Sequence, residues 1–472
     1  MTFIPVLLWS DVLIWLLVFA AGAIGALSLR RQPLREAWLR VGRSRSGMAS
    51  ATVLALFVLT GLVDSLHYRP RLENADPDQP VAYAVEVLSL LDTVAAPLRT
   101  RNEKTYSAPL ATRAYAKESS EVLLADGQVG IKRDFPRLKF GGAHLGADEE
   151  RRDADVLKRI VVAFGVAVAL WAGAALCLAG MIARRQSCAL LQAWRGIWRG
   201  ETKLAWDAVL ITLGVMLLTL SPVLALCMNY HVFGTDKVGQ DVFYQILKSV
   251  RTALVIGLVT TLVTLPIAIG LGTLAGYFRG WVDDLIQYLY TTLSSIPGVL
   301  LIAAAVLMMQ VIIDTHPQWF TTAAERADLR LLALCFILGL TSWTSLCRLL
   351  RGETLKLREL EYIQAAQAFG VADVSILLRH ILPNLMHIVI IALVMDFSSL
   401  VLAEAVLSYV GIGVDPTMIS FGTMINNARM ELAREPMVWW SLISAFVFMF
   451  ALVLAANLLA DAVRDAFDPR MG

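Results

Sequence analysis

Two acidic residues in an otherwise apolar stretch are the first candidates for chemistry in this sequence. Asp396 and Glu404 both lie within Leu385–Val410, which has no other Asp, Glu, Lys or Arg. An ionisable side chain inside a membrane is energetically costly and usually faces protein or water. On a helix of 3.6 residues per turn, eight positions place the two side chains about 80° apart. Both can therefore border one cavity or one interface.

The carboxylate of Asp396 has two interpretations at this point. It contacts the ammonium group of a ligand such as a peptide, or it is a hydrogen-bonded strut between helices. Of the two, we favour the strut.

The segment from Glu361 to Asn384 is too polar to span a membrane and reads EYIQAAQAFGVADVSILLRHILPN. Its small residues Ala365 and Ala366 allow a short helix to lie close against another surface. Gly370 permits a sharp turn with positive φ. Pro383 can start the next helix, because its missing N–H costs nothing there. The pattern predicts a cytoplasmic helix–turn–helix element that docks in a partner's groove.

No set of residues supports catalysis. The sequence has no P-loop of the form GxxxxGK followed by Ser or Thr, so it does not bind ATP by that route. It also lacks a defensible Ser/His/Asp set or a paired-carboxylate site. Its five cysteines show no CxxC or Cys/His metal spacing and are expected to be small buried apolar residues. We expect a chain that is not an enzyme and has no cofactor or metal site.

Composition identifies the class of protein in which these residues act. Of the 472 residues, 57% are hydrophobic and 17% are charged, whereas soluble proteins carry about 25% charged residues. The 41 Lys and Arg residues nearly balance the 39 Asp and Glu residues, so there is no strong basic field to attract nucleic acid. These values exclude a soluble enzyme, a disordered chain and a nucleic-acid-binding protein. They indicate a helical membrane protein with several spans.

Nine apolar stretches are long enough, or nearly so, to cross a membrane as helices, which takes about 20 residues. Pro266 and Pro297 lie inside two of them and are expected to produce fixed kinks. The stretches are Val12–Leu29, Met48–Leu66, Ile160–Ala183, Ala208–Tyr230, Thr252–Phe278, Leu285–Ile313, Leu331–Cys347, Leu385–Val410 and Met437–Ala460.

Basic residues determine the predicted orientation. Arginines follow the first span rather than precede it, so we interpret it as an uncleaved anchor and not as a signal peptide. The positive-inside rule places the loop with Arg30–Arg45 in the cytoplasm and the N-terminus outside. Alternation of the nine spans then puts Glu361–Asn384 and the C-terminus inside.

One charged segment interrupts the apolar chain. Between Tyr68 and Arg159 lie 15 acidic and 15 basic residues, which are 30 of the 80 charged residues in 92 positions. Alternation places this segment outside, and a loop of this length is expected to have its own structure or function. Val81–Leu98 has apolar residues at helical spacing and predicts an amphipathic helix. Phe140–Gly146 predicts a glycine-rich turn.

Several motifs resemble those of one transporter family. The string QAAQAFG from Gln364 to Gly370, with Leu382-Pro383 twelve residues further on, resembles the EAA loop of the inner-membrane permeases of ABC importers. Gln364 replaces the usual leading Glu, as in peptide-type permeases. The resemblance covers roughly Trp206–Gly472 and is strongest to the C-type subunit of dipeptide/oligopeptide permeases. The other matching motifs are Phe233-Gly-Thr-Asp236 with Asp241, Ala275-Gly-Tyr277, Glu404-Ala-Val-Leu-Ser408 and Asp461–Arg470.

The resemblance implies roles for three groups of residues. The first is a loop that couples the permease to its ATPase subunits. The second is a candidate translocation path or gate, in which Glu404 acts near the outer mouth. The third is a periplasmic motif before the second core helix. In that order, the groups are Glu361, Gln364, Ala365, Ala366, Phe369, Gly370, Arg379, His380 and Pro383; Asp396, Glu404 and Ser408; and Gly234, Thr235, Asp236 and Asp241.

The resemblance also implies a fold and a set of partners. The expected fold is an all-α polytopic membrane protein with about nine transmembrane helices, of which six form a type I ABC importer permease core. The expected partners are a homologous B-type permease subunit, cytoplasmic ABC ATPase subunits that hydrolyse the ATP, and a periplasmic or lipid-anchored substrate-binding protein. A peptide-like substrate and membrane lipid are also expected, but no nucleic acid. The expected location is the bacterial inner membrane.

We expect four regions along the chain. A transmembrane hairpin at residues 1–67 and a periplasmic segment at 68–159 come first. A third transmembrane helix with a cytoplasmic linker follows at 160–205. The permease core occupies 206–472 and contains the coupling loop at 361–384.

Two other functions remain open from the sequence. An ion-coupled secondary transporter would need a coupling site near the membrane midplane, for which Asp396 is thin support. A membrane-anchored interaction protein would act through the outer segment between Tyr68 and Arg159.

Overall fold

The computed structural model describes residues 3–28, 32–72, 83–123, 129–146, 148–320 and 322–467. Helices dominate these residues, and eight of them are long and apolar enough to cross a membrane. A shorter apolar helix, Trp9–Ala23, occupies most of the first predicted span. The prediction of a helical membrane protein with several spans is therefore confirmed.

The first half of the chain combines membrane helices with a small mixed segment. Two 3-10 turns, Ala143–Leu145 and Glu149–Arg151, precede its longest helix. In chain order, its helices and strands are β1 (Phe3–Val6), α1 (Trp9–Ser28), α2 (Gln32–Arg43), α3 (Arg45–Asp64), β2 (His67–Pro70), β3 (Leu88–Ser89), α4 (Leu90–Val94), α5 (Ala96–Thr100), β4 (Glu118–Leu123), β5 (Val129–Asp134), α6 (Arg152–Gln186), α7 (Leu190–Trp198) and α8 (Trp206–Cys227).

The second half is helical throughout the part that the structure describes. A 3-10 turn at Pro317–Trp319 and a π-helical turn at Leu377–Ile381 interrupt the α-helices. In chain order, the helices are α9 (Val242–Phe278), α10 (Gly280–Ser295), α11 (Gly298–Thr315), α12 (Ala323–Arg358), α13 (Glu361–Ala368), α14 (Asp373–Ile376), α15 (Leu382–Val410), α16 (Phe421–Glu431) and α17 (Trp440–Phe467).

Helices α9 and α12 form the centre of this half. Ala268 and Ala275 of α9 are fully buried together with Cys347 and Leu350 of α12. Small and apolar side chains at these positions let the two long helices pack closely over most of their length. The segment Glu361–Asn384, called the inner loop below, and the membrane helix α15 pack against this pair.

One predicted span is two helices. The stretch Leu285–Ile313 is divided between α10, which ends at Ser295, and α11, which begins at Gly298. Pro297 lies at the break, because a proline has no N–H to continue the hydrogen bonds of the preceding helix. Pro266, by contrast, stays inside α9.

The predicted amphipathic helix Val81–Leu98 is wrong over its first half. Residues 81 and 82 lie outside the described residues, and the chain becomes helical only at Leu90. Ser89 caps α4, since its side chain accepts the N–H of Asp92 while the Asp92 carboxylate accepts the N–H of Ser89. Pro97 then sits in the first turn of a separate helix, α5. The predicted glycine-rich turn at Phe140–Gly146 is present, with Gly142 at φ 68°.

Short strands, which the sequence did not predict, connect the two ends of the N-terminal hairpin. Strand β2 pairs antiparallel with both β1 and β3, and Phe3 stands opposite Pro70. A second antiparallel pair joins β4 to β5. Because β1 precedes α1 and β2 follows α3, the start of the chain lies on the same side as the charged outer segment.

The N-terminal helices pack directly on the core. Helix α3 packs against α17, α9 and α8, while α8 packs chiefly against α6 and α3. Asp11 of α1 forms an ion pair with Arg251 of α9 (2.6 Å) and a hydrogen bond with His67 (2.7 Å). The helix α8, expected to be the first of six core spans, therefore belongs by its contacts to a bundle with α3 and α6.

Candidate functional site

The inner loop is anchored at its base by buried isoleucines. Ile363 of α13, Ile376 of α14 and Ile381 of the π turn are fully buried. They share a cluster with residues of α9 and α12, including Tyr277 and Trp343. Burial of these side chains, each worth roughly 1.5–3 kcal/mol, fixes the loop against the inner end of the helix pair α9–α12.

The turn between the two helices has the geometry that the sequence predicts. Gly370 adopts φ +74°, in the left-handed region. The N–H of Gly370 donates to the Gln367 carbonyl (3.0 Å), and that of Val371 donates to the Ala366 carbonyl (3.1 Å). These bonds close the end of α13 as in a typical glycine-terminated helix. A Cβ at residue 370 would meet no atom within 4 Å, so only the backbone conformation requires glycine here.

The tip of the loop is left exposed. Phe369 has 88% of its surface exposed, and Gln364 and Ala365 beside it are also exposed. Ala366 lies partly buried on the opposite side, against the isoleucine cluster. The two alanines therefore face different surroundings. Ala366 packs against the protein's own core, and Ala365 is exposed on the surface.

Tyr277, at the inner end of α9, connects the loop to the core. Its hydroxyl donates to the Asp373 carboxylate (2.6 Å) and accepts a hydrogen bond from the Gln367 amide (3.1 Å). Its carbonyl accepts from the Arg358 guanidinium (2.6 Å). In the sequence, Tyr277 is part of the Ala275-Gly-Tyr277 motif and has no predicted role of its own. The structure identifies it as the residue that contacts both helices of the loop and the end of α12.

The second helix of the loop begins earlier than predicted. The chain is helical from Asp373, and Pro383 lies in the first turn of α15, directly after the π turn Leu377–Ile381. A proline at this point removes one backbone donor, and a wider π turn is one way for a helix to continue past such a defect. Arg379 is exposed, and His380 lies beside Tyr362 with the ring centroids 6.3 Å apart.

A cavity of about 710 Å³ lies between α9, α12, α15 and α17. Hydroxyl groups line much of it, and Asp396 and Arg464 are its charged residues. The hydroxyl-bearing residues are Thr264, Thr341, Ser342, Thr344, Ser345 and Ser399. Such a lining can replace part of the hydration shell of a polar solute within a membrane protein.

The structure separates the two acidic residues of α15. Asp396 lines the cavity, and no described residue forms a side-chain hydrogen bond or an ion pair with its carboxylate. The predicted strut within the chain is therefore wrong for the described residues. Glu404 is fully buried away from the cavity and accepts hydrogen bonds from Ser408 (2.6 Å) and Ser420 (2.8 Å). The expectation that both acidic residues border one cavity is also wrong.

The outer motif, Gly234–Asp236 with Asp241, forms the contact between the core and the charged outer segment. Thr235 is fully buried, and its hydroxyl accepts the Ser107 N–H (2.7 Å) and donates to the Thr105 carbonyl (3.0 Å). Asp241 caps α9 by accepting the N–H of Phe243 (2.8 Å).

The remaining two motif residues shape the same loop. Asp236 accepts the N–H groups of Val238 (3.0 Å) and Gln240 (2.8 Å). Gly234 has φ +72°, and a Cβ there would lie 2.5 Å from the Ser107 carbonyl oxygen. The motif is thus shaped to receive the segment's backbone.

A buried charge cluster completes this contact. His231 lies between Asp241 (2.7 Å) and Glu103 of the outer segment (3.4 Å). The Glu103 carboxylate also accepts the N–H groups of Lys139, Phe140 and Gly141 at 2.8–3.0 Å. Neither Glu103 nor His231 was predicted from the sequence, because nothing in the local pattern relates positions 128 residues apart.

The cluster shifts the pKa values of both partners. Burial alone would lower the pKa of His231, but the hydrogen bonds to Asp241 and Glu103 outweigh it and raise this pKa to about 9. Burial would likewise raise the pKa of Glu103, but the bonds from His231 and the three N–H groups lower it to about 2. At neutral pH the contact therefore contains a charged imidazolium between two carboxylates.

Known proteins share the second half of the chain. The family described as "Binding-protein-dependent transport system inner membrane component" matches residues 268–472. The glutathione transport system permease protein GsiD of Pectobacterium atrosepticum is 35% identical over 241 residues, which cover 51% of this chain and 73% of that protein. The oligopeptide transport system permease protein OppC of Mycobacterium bovis is 31% identical over 239 residues, which cover 51% and 76%.

A solved structure is also similar. A chain from the MetNI methionine ABC transporter in inward-facing conformations is 16% identical, with a TM-score of 0.37, and the similarity covers 48% of this chain and 97% of that one.

Proposed function

This chain belongs to the family of binding-protein-dependent transport system inner membrane components, and from that premise we propose its place in the assembled importer. Its relatives make it a permease subunit of an ABC importer and a multi-span protein of the bacterial inner membrane. Within that importer, we propose, it forms half of the translocation path for di- or oligopeptides or similar small solutes, glutathione among them. The ion-coupled transporter and the membrane-anchored interaction protein are not favoured by these relatives.

The observation that carries the proposal is the exposed tip of the inner loop. Phe369 is almost fully exposed at the end of an element whose base is fixed by three buried isoleucines. Covering a phenylalanine in a partner's groove is worth roughly 1.5–3 kcal/mol. We assign that groove to an ABC ATPase subunit, which would hydrolyse the ATP.

In this proposal the predicted coupling residues have distinct roles. Phe369 and Ala365 contact the ATPase subunit together with Gln364 and Glu361, while Ala366 and Gly370 shape the loop. Arg379, His380 and Pro383 flank it at the start of the following membrane helix. Movement of the docked subunits then reaches α9 through Tyr277, which contacts both helices of the loop.

The hydroxyl-lined cavity is the proposed half of the translocation path. Most of its lining comes from α12 and α15, and a homologous B-type permease subunit would supply the opposite wall. Asp396 has no side-chain partner among the described residues, which favours the interpretation that its carboxylate meets a peptide ammonium group. Glu404 and Ser408 would instead stabilise the outer end of α15 as part of the gate.

We further propose that the N-terminus and the outer segment lie in the periplasm and that the C-terminus is cytoplasmic. The pairing of β1 with β2 supports one common side for the N-terminus and the outer segment. A periplasmic or lipid-anchored substrate-binding protein would dock on that side. The proposed regions are a hairpin at 1–67, the outer segment at 68–159, the helix and linker at 160–205, and the core at 206–472, whose first helix, α8, packs on α6 and α3. Asp468–Arg470, the end of the C-terminal motif, lies outside the described residues.

The decisive experiment is purification of the tagged chain from membranes in mild detergent, with identification of the co-purifying chains and measurement of substrate-stimulated ATPase activity. Phe369→Asp should abolish co-purification of the ATPase subunit, because a charge replaces the buried aromatic anchor. Val85→Asp is the matched control, since Val85 is a similarly exposed apolar residue (79%) in the outer segment. It should leave co-purification unchanged.

Two results would contradict the proposal. A chain that purifies without any ATPase subunit is not the permease described here. Uptake that stops when the membrane potential is collapsed at constant ATP would indicate an ion-coupled transporter.

The role of Asp396 has its own test. Asp396→Asn should reduce uptake of peptides with a free N-terminal amine several-fold, because it removes about one charge-assisted hydrogen bond. It should not reduce uptake of N-acetylated peptides. Ser399→Ala, in the same cavity lining, is the control. Equal transport of every peptide by the Asn variant would remove the ammonium contact from the proposal.

A further inference from the structure

Two basic stretches that are far apart in the sequence meet in the structure. One contains six arginines between Arg30 and Arg45, and the other contains four arginines and a lysine between Arg184 and Lys203. The Ala205 N–H donates to the Gly42 carbonyl (2.8 Å), which joins the end of α2 to the start of α8. Arg43 and Arg45 of the first stretch and Lys203 of the second therefore lie at one site.

A pocket of about 410 Å³ lies where the two stretches meet. Its cations are Arg43, Arg45 and Lys203, and its anions are Glu201 and Asp207. Arg45 is neutralised by Asp207 at 2.9 Å. Arg43 and Lys203 are exposed and have no hydrogen bond or ion pair with any described residue. Three cations and two anions give the pocket a net charge of +1, and Arg43 and Lys203 are its two cations without a described partner.

The position of the pocket indicates where its ligand comes from. Helix α3 begins at Arg45 and α8 begins at Trp206, and both are long and apolar enough to span a membrane. The pocket therefore lies at the ends of two adjacent membrane helices, at the level of lipid headgroups. The N-termini of both helices add partial positive charge at this level.

Neighbouring apolar side chains point to the same environment. Leu190, Leu191 and Trp198 of α7 are all substantially exposed next to the basic residues. Tryptophan and leucine on a short helix with arginines are typical of an element that lies in the membrane interface. This environment favours an anion that is attached to an acyl chain.

We propose that this pocket binds the phosphate group of an anionic phospholipid, with Arg43 and Lys203 as its cationic contacts. The site is separate from the coupling loop and from the hydroxyl-lined cavity. A lipid bound there would fix the position of the α3–α6–α8 bundle in the membrane. Basic pockets between transmembrane helices are a recognised form of anionic-lipid site.

The test uses the full-length protein in mild detergent and native mass spectrometry to measure retained phosphatidylglycerol, with phosphatidylcholine as the neutral lipid. The double variant Arg43→Gln/Lys203→Gln should lower the affinity for phosphatidylglycerol about 30-fold. The matched control, Arg184→Gln/Arg185→Gln, removes the same charge from exposed positions at the end of α6, outside the pocket. It should change the affinity less than about threefold.

Three results would overturn the proposal. Equal losses in the two double variants would mean that general charge attraction holds the lipid. Unchanged affinity in the pocket variant would mean that the lipid binds elsewhere. Displacement of phosphatidylglycerol by inorganic phosphate at matched concentration would assign the pocket to a free anion rather than to a lipid.

Discussion

The inner loop and the outer contact, in which Glu103 meets His231 and Asp241, both contain a left-handed glycine but differ in how much of their surface the chain covers. Each depends on a glycine in the left-handed region, Gly370 inside (φ +74°) and Gly239 outside (φ +76°). At the outer end, the polar groups of Glu103 and His231 are satisfied by the same chain. At the inner end, Phe369 remains exposed after the loop has been fixed in place.

This difference separates a surface that the chain itself covers from one that the chain leaves exposed. The outer segment acts as a built-in partner of the core, because it brings a carboxylate and backbone groups that match His231 and Thr235. The inner loop contributes only the buried isoleucines that fix its base, and its tip is covered by no described part of the chain. Substitutions at the outer contact should therefore affect the chain itself, and those at the inner loop should affect an assembly.

The largest effect should distinguish the two glycines. Gly239→Ala adds a Cβ that would lie 1.8 Å from the Glu103 carbonyl oxygen, so the backbones must separate. With the left-handed strain, this should cost at least about 3 kcal/mol of docking free energy. Limited proteolysis within residues 83–146 should accelerate accordingly.

Gly370→Ala is the matched substitution at the inner end. A Cβ there meets no atom within 4 Å, so only the conformational strain of roughly 1–2 kcal/mol applies. It should leave proteolysis of the outer segment unchanged. Similar proteolysis of the two variants would contradict the comparison.

Removing the buried carboxylate should have the next largest effect. Glu103→Ala leaves three N–H groups without an acceptor and weakens the pairing of a buried imidazolium, at a cost of about 3 kcal/mol. Thermal unfolding of the outer segment, followed by accessibility of its residues to a protease, measures the loss.

Glu118→Ala provides the control for charge alone. Glu118 pairs with Lys104, whose side chain is 80% exposed, and an exposed pair contributes about 0–1 kcal/mol. If both variants loosened the segment equally, burial of the cluster would not be what fixes it.

The outer contact should also depend on pH, and the inner loop should not share this dependence. The pKa of His231 is raised from 6.5 to about 9, so its stabilisation is complete below about 6.5 and is lost as pH rises through about 9. The pKa of Glu103 is lowered from 4.5 to about 2, so its stabilisation is complete above 4.5 and is lost as pH falls towards 2.

Protease accessibility of residues 83–146 should therefore be lowest between about pH 4.5 and 6.5. It should rise on both sides of this range. His231→Gln should flatten the alkaline side, because glutamine does not titrate. An unchanged alkaline rise in that variant would assign it to another group.

The smallest effect is expected at the connection between the loop and α9. Tyr277→Phe removes the hydrogen bonds to Asp373 and Gln367, worth about 1 kcal/mol, while the ring stays in the buried cluster. The ATPase subunit should still co-purify, but substrate-stimulated ATPase activity should fall two- to tenfold. Loss of co-purification instead would place Tyr277 in loop stability rather than in transmission.

Local patterns made much of this protein predictable. Apolar runs located the membrane helices, because a spanning helix satisfies its backbone within one continuous segment. The loop was predictable for a similar reason, since Gly370 and the residues around it impose a turn over a few positions. The errors occurred where neighbouring signals competed. Ser89 starts a helix later than the apolar spacing suggested, and Pro97 lies in the first turn of a separate helix.

Only the tertiary structure decided which residues share a site. It buried Glu404 among serines and left Asp396 in the cavity, although both lie on one helix. It placed Glu103 beside His231, and Arg43 beside Lys203. The physical reason is that backbone conformation is set by near neighbours, whereas burial and charge pairing depend on which distant segments cover a position. The sequence alone therefore determined the membrane class, most of the membrane helices and the turn at Gly370, and the packing of its distant parts decided the cavity, the outer contact and the basic pocket.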